Sequence, residues 1–188
     1  MQHPQPAADE IRTSDGHLAR PPSTAEVAER VAEYGAWIER ARRAHTDFTP
    51  TRAHPLHWTP LRKPLSQCAV ALVSTGGVHL DTQQPFDVYA ETGDWSARPI
   101  PGDVDSRHLI VTHTHYATQD ALADVNVMFP IDRLRELVGD GVVGEVASLH
   151  FAFMGFIPNP RHLVAATAPA AAAALKARGV DAVVLTAG

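Results

Sequence analysis

Apolar residues along this chain gather in short runs separated by polar stretches rich in glycine and proline. Residues 68–74 are a nearly continuous apolar run that predicts a strand buried on both faces, and residues 180–185 predict a further apolar strand. Residues 108–112 and 146–153 predict two more strands. Because helical patterns alternate with these runs, the sequence predicts an α/β fold, Rossmann-like, with a mostly parallel sheet and flanking helices.

Three helices are predicted between and before the strands. Ser23 and Glu26 have capping-box spacing, and apolar residues at helical intervals then predict a helix over about residues 24–43. Residues 130–138 predict a short second helix. Thr167 is predicted to cap a third helix, because a threonine hydroxyl can accept a hydrogen bond from the first turn.

The same patterns divide the chain into three parts. Residues 1–22 lack periodicity and predict a mobile N-terminal tail. Residues 23–64 predict the first helix and a proline-rich connector, and residues 65–188 predict an α/β domain. Within that domain, residues 78–105 predict an irregular excursion between two strands. The last predicted strand feeds a loop with no crossover helix after it, so the sheet is expected to be incomplete, or truncated, at its C-terminus.

Composition excludes several classes of function. The 188 residues carry a formal charge of -5, and the 16 basic residues are scattered, whereas a nucleic-acid surface gathers its cations on one face. No apolar run is long enough to span a bilayer, and the N-terminus lacks the apolar core of a signal peptide. The single cysteine, Cys68, fits a reducing compartment. We therefore expect a cytoplasmic protein that binds neither nucleic acid nor membrane.

The loops that follow the predicted strands carry the candidate site, because open parallel sheets bind ligands at the C-terminal ends of their strands. Thr75, Gly76 and Gly77 form a turn whose backbone N–H groups could hold an anion such as a substrate carboxylate. The alternative is a tight turn that needs glycine for its conformation. His113 and His115 are two residues apart at a strand end, so both imidazoles could face one substrate or one metal ion.

A zinc site and other chemistry at these loops are less well supported by the sequence. The segment from His113 is similar to the HxHxDH motif of metallo-β-lactamase hydrolases, but Ala117 and Thr118 replace two of its ligands. The two histidines could equally bond loop carbonyls. Asp120 and Asp124 are predicted either to orient the histidines or to be solvated. Cys68 is expected to be a buried hydrophobe and not a nucleophile.

Four stretches of the sequence together resemble one family. They are VALVSTGGVHL (70–80), HYATQDALADVNVMFPIDRLREL (115–137), HFAFMGF (150–156) and ALKARGVDAVVLTAG (174–188). Over about residues 65–188 the chain resembles the selenoprotein B family of glycine, sarcosine, betaine and D-proline reductases, most closely the D-proline reductase branch. The string DVNVMFPIDRL is the most specific part of the resemblance.

The resemblance implies reductive cleavage of a C–N bond in an amino acid or its N-methyl derivative. It implies a dithiol or thioredoxin-type reductant and a partner subunit that carries a pyruvoyl group. It also implies a selenocysteine, or a cysteine, directly after the strand that resembles VDAVVLTA, so the redox residue is expected after Gly188. Selenocysteine is encoded by UGA, and a UGA taken as a stop codon would end the sequence here.

On this interpretation the 188-residue product is expected to be inactive alone, and no catalytic residue can be assigned within it. Thr75, Gly76, Gly77, His113 and His115 remain candidates for lining a substrate site. Two alternatives stay open at this point. One is a metal-dependent hydrolase that uses His113 and His115, and the other is a non-catalytic binding subunit that is complete at Gly188.

Overall fold

The structure is a computed structural model that describes residues 59–114, 116 and 118–187, together with residues 23–25 and single residues and pairs between 28 and 43. The chain divides into two units, residues 1–51 and 52–188. In the first unit, every described residue from 24 to 43 is helical, which confirms the predicted helix at those positions. The predicted tail and most of the connector lie outside the described residues, so the three-part division of the chain stays a prediction.

The second unit contains seven strands and three α-helices among its described residues. The strands are β1 (Ala69–Ser74), β2 (Val78–Leu80), β3 (Arg98–Pro101), β4 (Leu109–Val111), β5 (Glu145–Val146), β6 (Leu149–Ala152) and β7 (Ala182–Thr186). The helices are α1 (Gln119–Ala123), α2 (Ile131–Gly139) and α3 (Ala168–Ala177). Short 3-10 helices cover Leu65–Gln67, Ser106–His108 and Val125–Val127.

Five of the strands form one mixed sheet around β1. Strands β5, β6 and β7 pair with β1 in parallel, and β3 pairs with β6 antiparallel. The even-numbered residues of β1 hydrogen-bond on the side of β5 and β6; for example, the Val70 carbonyl accepts from Ala147 N–H. On the opposite side lies β7, where the Thr186 carbonyl accepts from Thr75 N–H, directly after β1. The order across the sheet is therefore β3, then β5 and β6 in succession, then β1, then β7. This confirms a mostly parallel α/β sheet, and its Rossmann-like character stays a prediction.

The predicted strand at residues 108–112 belongs elsewhere. β4 pairs antiparallel with β2 in a separate two-stranded sheet, so the expectation that it joins the parallel sheet is wrong. The excursion over residues 78–105 is also not wholly irregular, because it contains β2 and β3. β3 has the sequence RPIP, and its two prolines are the reason that the sequence does not predict a strand there. Proline is nevertheless tolerated in a strand at the edge of a sheet.

Each face of the main sheet packs against its own apolar cluster. Val70 and Leu72 of β1 point to one face, which α2 and the preceding Phe129 cover. Ala71 and Val73 point to the other face, which α3 covers through Ala171 and other residues. This alternation is the period-2 geometry of a strand buried on both sides. The continuous apolar run predicted that burial correctly.

The third predicted helix begins earlier than its sequence indicates. Thr167 has helical backbone angles and makes no capping hydrogen bond, because the helical path already begins at Arg161 and passes through a π-helical turn at Leu163–Thr167. The side chain of Asn159 instead accepts from Arg161 N–H at 3.3 Å. The predicted cap at Thr167 is therefore wrong, whereas the second helix lies within one residue of its predicted bounds.

His150 supplies a hydrogen-bond acceptor for one backbone N–H group of β1. The pairing partner of β1 shifts by two residues between β5 and β6, and this leaves Leu72 N–H without a strand carbonyl. The N–H donates instead to Nδ1 of His150 at 2.8 Å. His150 is fully buried and lies edge-on to Phe129, with 5.7 Å between the ring centroids. Burial, with the nearby charge of Arg135, lowers the pKa of His150 to about 4, so the ring is neutral at pH 7.

Candidate functional site

The C-terminal edge of the parallel strands is held together by two hydroxyl groups that share one acceptor. The Ser74 hydroxyl, at the end of β1, donates to the Met128 carbonyl oxygen at 2.9 Å. The Thr186 hydroxyl, at the end of β7, donates to the same oxygen at 2.6 Å. Ser74 and Thr186 are paired residues across the two strands. The segment that follows Val125–Val127 is therefore fixed over the ends of β1 and β7.

The turn of Thr75, Gly76 and Gly77 lies at this edge, and all three of its backbone N–H groups are used inside the protein. Thr75 N–H donates to the Thr186 carbonyl, and Gly77 N–H donates to the Phe153 carbonyl. Gly76 N–H donates to the Ser74 hydroxyl at 3.1 Å. The amide cradle for an anion, considered from the sequence, is therefore wrong for this conformation, because no N–H of the turn points to a ligand.

The two glycines of the turn are required by close packing. A Cβ on Gly76 would lie 2.5 Å from Cε of Met128. Gly77 has φ near +72°, and a Cβ there would collide with the Thr112 carbonyl oxygen. A side chain at Gly77 would be strained by its backbone and by its neighbour alike. The tight-turn interpretation of this glycine pair is thus confirmed, and whether Thr75, Gly76 and Gly77 contact a substrate stays a prediction.

His113 reaches the same edge although β4 lies outside the main sheet. Thr112 N–H donates to the Gly77 carbonyl, and this bond places His113 beside the turn. Tyr116 lies against His113, with ring centroids 4.6 Å apart, and its phenol donates to the Gly76 carbonyl at 2.8 Å. Burial raises the pKa of Tyr116, so the phenol keeps its proton at pH 7. His115 lies outside the described residues, and the shared-face geometry of the two histidines stays a prediction.

The loop after β6 completes the edge. Met154 forms a bridge with Gly76, and a Cβ on Gly155 would lie 2.8 Å from the Thr75 carbonyl oxygen. The predicted convergence of the loops after residues 74, 112, 153 and 185 is therefore present among the described residues. It arises partly from parallel strands and partly from the Gly77–Thr112 hydrogen bond, which the sequence did not indicate.

Sequence reasoning missed His79 and Tyr116 as supports of this site. His79 is fully buried on β2, its Nδ1 bonds the Leu80 carbonyl, and its Nε2 bonds the Thr112 hydroxyl, both at 2.8 Å. It therefore fixes the residue that precedes His113. A histidine buried in a strand of three residues leaves no periodic signal in the sequence. Only Tyr116 is close to a candidate residue, because it directly follows His115.

Asp124 has a structural role in the segment that crosses the strand ends. Its carboxylate accepts from the backbone and the side-chain amide of Asn126, both at 2.9 Å, and these bonds hold the pKa of Asp124 below its usual range. Asn126 also donates to Asp132 at 3.0 Å. Asp120 lies in the first turn of α1. Cys68 is fully buried and its thiol lies against the Pro64 carbonyl, as expected for a small core residue.

No group of three or more His, Cys, Asp or Glu side chains that could hold a metal ion occurs among the described residues. Likewise, no helix in this part of the chain combines the length and the apolarity that crossing a bilayer requires.

Comparison with known proteins gives one consistent result. The sequence model of the family described as glycine/sarcosine/betaine reductase selenoprotein B matches residues 44–188. The chain is 39% identical over 141 residues to the D-proline reductase subunit gamma of Acetoanaerobium sticklandii, which is 75% of this chain and 57% of that protein. No solved structure is significantly similar to the chain.

More distant relatives belong to the same family. The chain is 31% identical over 131 residues to the glycine reductase complex component B subunit gamma of Carboxydothermus hydrogenoformans, covering 68% of this chain and 29% of that protein. The corresponding protein of Symbiobacterium thermophilum is also 31% identical, with 30% of its length covered. The chain thus spans between about a third and about half of the length of the curated relatives it matches. None of these matches supports the metal-dependent hydrolase.

Proposed function

Because the chain belongs to the selenoprotein B family of glycine, sarcosine and betaine reductases, we propose that it is part of a reductase that cleaves a C–N bond in an amino acid or an N-methylated amino acid. The observation that carries this proposal is the 39% identity to a D-proline reductase subunit. D-Proline is the substrate that this relative favours, with glycine, sarcosine and betaine as the alternatives. Two relatives are named as subunits of a complex, so we include a partner subunit, carrying a pyruvoyl group, in the proposal.

The reaction consumes two electrons and two protons. A dithiol supplies both and becomes a disulfide, while the C–N bond is replaced by one C–H and one N–H bond. A selenolate or thiolate is the nucleophile suited to this chemistry, since it attacks carbon and then leaves as dithiol reduction regenerates it. In our proposal that nucleophile is a selenocysteine or cysteine of a longer cytoplasmic chain, and no described residue is assigned to it.

Within the described residues, the C-terminal edge of the sheet is the part that we assign to substrate contact. Thr75, Gly76, Gly77 and His113 line it, and His115 is proposed to join them. Tyr116, protonated at pH 7, holds the turn through the Gly76 carbonyl and can orient His113. Ser74 and Thr186 fix the ends of β1 and β7 against Met128, so a residue that follows β7 would be delivered to the same edge.

Two observations support a longer working chain. The match covers only 57% of the D-proline reductase subunit. In addition, β7 leaves Val183, Val184 and Leu185 between 41% and 77% exposed, although a parallel strand is normally covered on both faces. We propose that polypeptide of the longer family chain pairs with β7 and covers it.

The test begins with the nucleotide sequence across codon 188. We expect an in-frame UGA followed by further coding sequence with a nearby cysteine codon. The complete product is then combined with its partner subunit and a dithiol, and D-proline is the first substrate, with 5-aminopentanoate as the product measured. Dithiol-dependent product formation that is lost when the UGA-encoded residue is replaced by alanine would support the proposal. Absence of reduction for D-proline, glycine, sarcosine and betaine alike would overturn it.

A matched pair of variants tests the assigned edge in the same assay. Thr186→Val removes the hydroxyl that holds Met128 and keeps the shape of the side chain, so we expect kcat to fall by about tenfold as the end of β7 loses one hydrogen bond. Thr82→Val makes the same chemical change at an exposed position outside the edge and is expected to leave kcat unchanged. Equal activity of the two variants would remove Thr186 from the proposal.

A further inference from the structure

Two histidines are fully buried among the described residues, and their hydrogen bonds differ in kind. Nδ1 of His150 accepts from the Leu72 N–H group, so in the neutral ring the proton is on Nε2, which has no partner in this part of the chain. Nδ1 of His79 instead lies 2.8 Å from the Leu80 carbonyl oxygen, which can only accept, so Nδ1 carries the proton. The bare Nε2 of neutral His79 therefore accepts from the Thr112 hydroxyl at 2.8 Å.

The two rings respond differently to a second proton. Protonation of His150 at Nδ1 would turn the acceptor of Leu72 N–H into a donor and break that hydrogen bond. Protonation of His79 at Nε2 breaks no bond, because the Thr112 hydroxyl can rotate and accept from the ring instead of donating to it. Of the two, only the ring of His79 can hold an extra proton while keeping both of its hydrogen bonds.

The hydroxyl of Thr112 carries this change toward the C-terminal edge of the sheet. When the ring is neutral, the hydroxyl proton points to His79 and the oxygen can accept a proton from another group. When the ring is protonated, the hydroxyl proton is free to be donated elsewhere. Thr112 is only partly buried, and its N–H group donates to the Gly77 carbonyl at 2.9 Å, so the residue lies beside the turn that we assign to substrate contact.

We propose that Thr112 and His79 form a proton shuttle for the reductase reaction. A thiol of the reductant gives its proton to Thr112 Oγ1 while the hydroxyl proton moves to Nε2 of His79, which leaves a thiolate and an imidazolium. The imidazolium holds this proton until a C–N bond breaks, when Nε2 returns it to Oγ1 and Oγ1 gives one to the departing nitrogen. One proton thus moves from sulfur to nitrogen, and no electrons pass through the pair. The inference rests on the proposed function, which supplies both the thiol and the nitrogen.

The surroundings of His79 leave the shuttled proton mobile. The ring lies edge-on to Phe86, with 6.0 Å between the centroids, and the Arg98 guanidinium lies 4.3 Å from the centre of the Phe86 ring. In the part of the chain that the structure describes, no carboxylate is a hydrogen-bond partner of the ring, so no ion pair holds an acquired proton in place. The charged and titratable side chains on the neighbouring segments are Asp81, Asp94, Arg98, His108, His113 and Tyr116.

Nitrogen NMR of the two buried rings in the 188-residue chain tests the arrangement without turnover. We expect neutral His79 to carry its proton on Nδ1 and neutral His150 to carry it on Nε2. As the pH is lowered, His79 should take a second proton while the amides that pair β2 with β4 stay protected from exchange. A neutral His79 ring with its proton on Nε2, or loss of that protection when the ring is protonated, would overturn the shuttle.

Turnover of the complete reductase tests the proton transfer itself. Thr112→Val removes the hydroxyl at nearly constant shape, and His79→Gln keeps an oxygen that can accept from Thr112 but cannot take up the proton. We expect kcat to fall by about 100-fold in each variant with KM unchanged, because general acid–base transfer contributes at least that much. Thr112→Ser restores the hydroxyl and should recover most of kcat.

Mixtures of H2O and D2O provide a reading that a structural role would not change. Two protons move in one step of the shuttle, so kcat of the parent enzyme should depend on the deuterium fraction along a curve, and the curvature should disappear in Thr112→Val and in His79→Gln. His150→Gln changes the other buried histidine and is the matched control. It should lower the free energy of unfolding and leave the curvature as it is, and urea unfolding accompanies every variant.

The outcomes separate the shuttle from the reductase proposal. An active parent enzyme whose kcat and curvature survive both Thr112→Val and His79→Gln would overturn the shuttle and leave the reductase proposal standing. Failure of Thr112→Ser to recover kcat would likewise overturn the shuttle. A parent enzyme that reduces none of the four substrates would overturn the reductase proposal, and the shuttle with it, whatever the NMR spectra show.

Discussion

The two edges of the main sheet differ in how they present their backbone. On β3, Gly102 N–H donates to the Ser148 carbonyl, so by antiparallel alternation Pro99 and Pro101 face outward. A proline has no N–H group, and the outward Pro99 carbonyl already accepts from the Gln83 amide at 2.8 Å. β3 therefore has no free donor to offer to another strand. Edges are protected in this way in many soluble proteins.

β7 has none of these protections. Thr75 N–H donates to the Thr186 carbonyl, so Thr186 and Val184 face β1, whereas Val183 and Leu185 turn their N–H and carbonyl groups to the open edge. The strand contains neither proline nor charge, and Leu185 is 77% exposed. Among the described residues, the sheet is therefore closed at β3 and open at β7, beside the edge that we assign to the chemistry. An open edge at β7 agrees with our proposal that further polypeptide pairs with this strand.

Acid should destabilise the sheet at both edges together, because His150 supports β1, which lies between β3 and β7. The folded pKa of about 4 lies below the ordinary value of 6.5, so the unfolded chain takes up the proton first as the pH falls. Stability is therefore full above pH 6.5 and declines between pH 6.5 and 4 by about 3 kcal/mol, since each pKa unit corresponds to about 1.4 kcal/mol.

Urea unfolding at several pH values measures this decline. The variant His150→Asn does not titrate and should flatten the slope between pH 6.5 and 4, although its stability at pH 7 is lower. Thr82→Val, at an exposed position without a titrating group, is the control that keeps the slope. An unchanged slope in His150→Asn would show that another group controls the acid transition.

A proline scan of β7 tests which of its residues face outward. Val184→Pro removes a donor from the β1–β7 pairing and leaves a carbonyl of β1 unpaired, so the free energy of unfolding should fall by about 2 kcal/mol. Leu185→Pro removes only an outward donor and should cost well under half of that. Chemical denaturation of both variants gives the comparison, and equal losses would mean that the register of β7 is wrong.

The closed edge can be opened by restoring one backbone donor. Pro99→Val places an outward N–H and a β-branched side chain on β3, so we expect stronger self-association with a stability change of less than about 1 kcal/mol. Pro99→Lys restores the same N–H but adds a charge, and it should remain as dispersed as the parent chain. Light scattering at increasing protein concentration distinguishes them, and identical behaviour of the two variants would contradict the role assigned to the prolines.

The exposed edge at β7 can be made less apolar with little effect on the free energy of unfolding. Leu185→Lys replaces an exposed apolar side chain by a charge, so self-association and binding of an apolar dye should both decrease while the unfolding free energy changes by less than about 0.5 kcal/mol. Leu185→Met keeps the apolar surface and is the control. Dye binding that is the same in both variants would indicate that β7 is already covered in solution.

The sequence predicted the parts of the fold that are determined locally. The apolar run at residues 68–74 forms β1, which is buried on both faces and needs no alternation, and the run at residues 180–185 forms β7, whose outer side chains are exposed. The helix that begins at Ile131 follows from the residues at its two ends. The failures are equally physical. The cap predicted at Thr167 is wrong because the helical path already begins at Arg161, and β3 is not predicted because its prolines disguise an edge strand.

The candidate site was predictable in position but not in its bonding. Parallel strands bring the loops after residues 74 and 185 together, and this much follows from topology. The shared acceptor at Met128 is 54 residues from Ser74 and 58 from Thr186, and no local pattern reports such pairing. Two of the three N–H groups of the turn also have distant acceptors, because Thr75 N–H donates to Thr186 and Gly77 N–H donates to Phe153.

Hydrogen exchange of individual β7 amides in the dispersed 188-residue chain tests the open edge most directly. We predict that the amides of Val184 and Thr186 are protected, whereas those of Val183 and Leu185 exchange at nearly the rate of an unfolded peptide. In the longer reductase chain that we propose, all four should be protected, because the added polypeptide is proposed to pair with β7. Protection of Val183 and Leu185 in the monomeric 188-residue chain would contradict the open edge and count against that proposal.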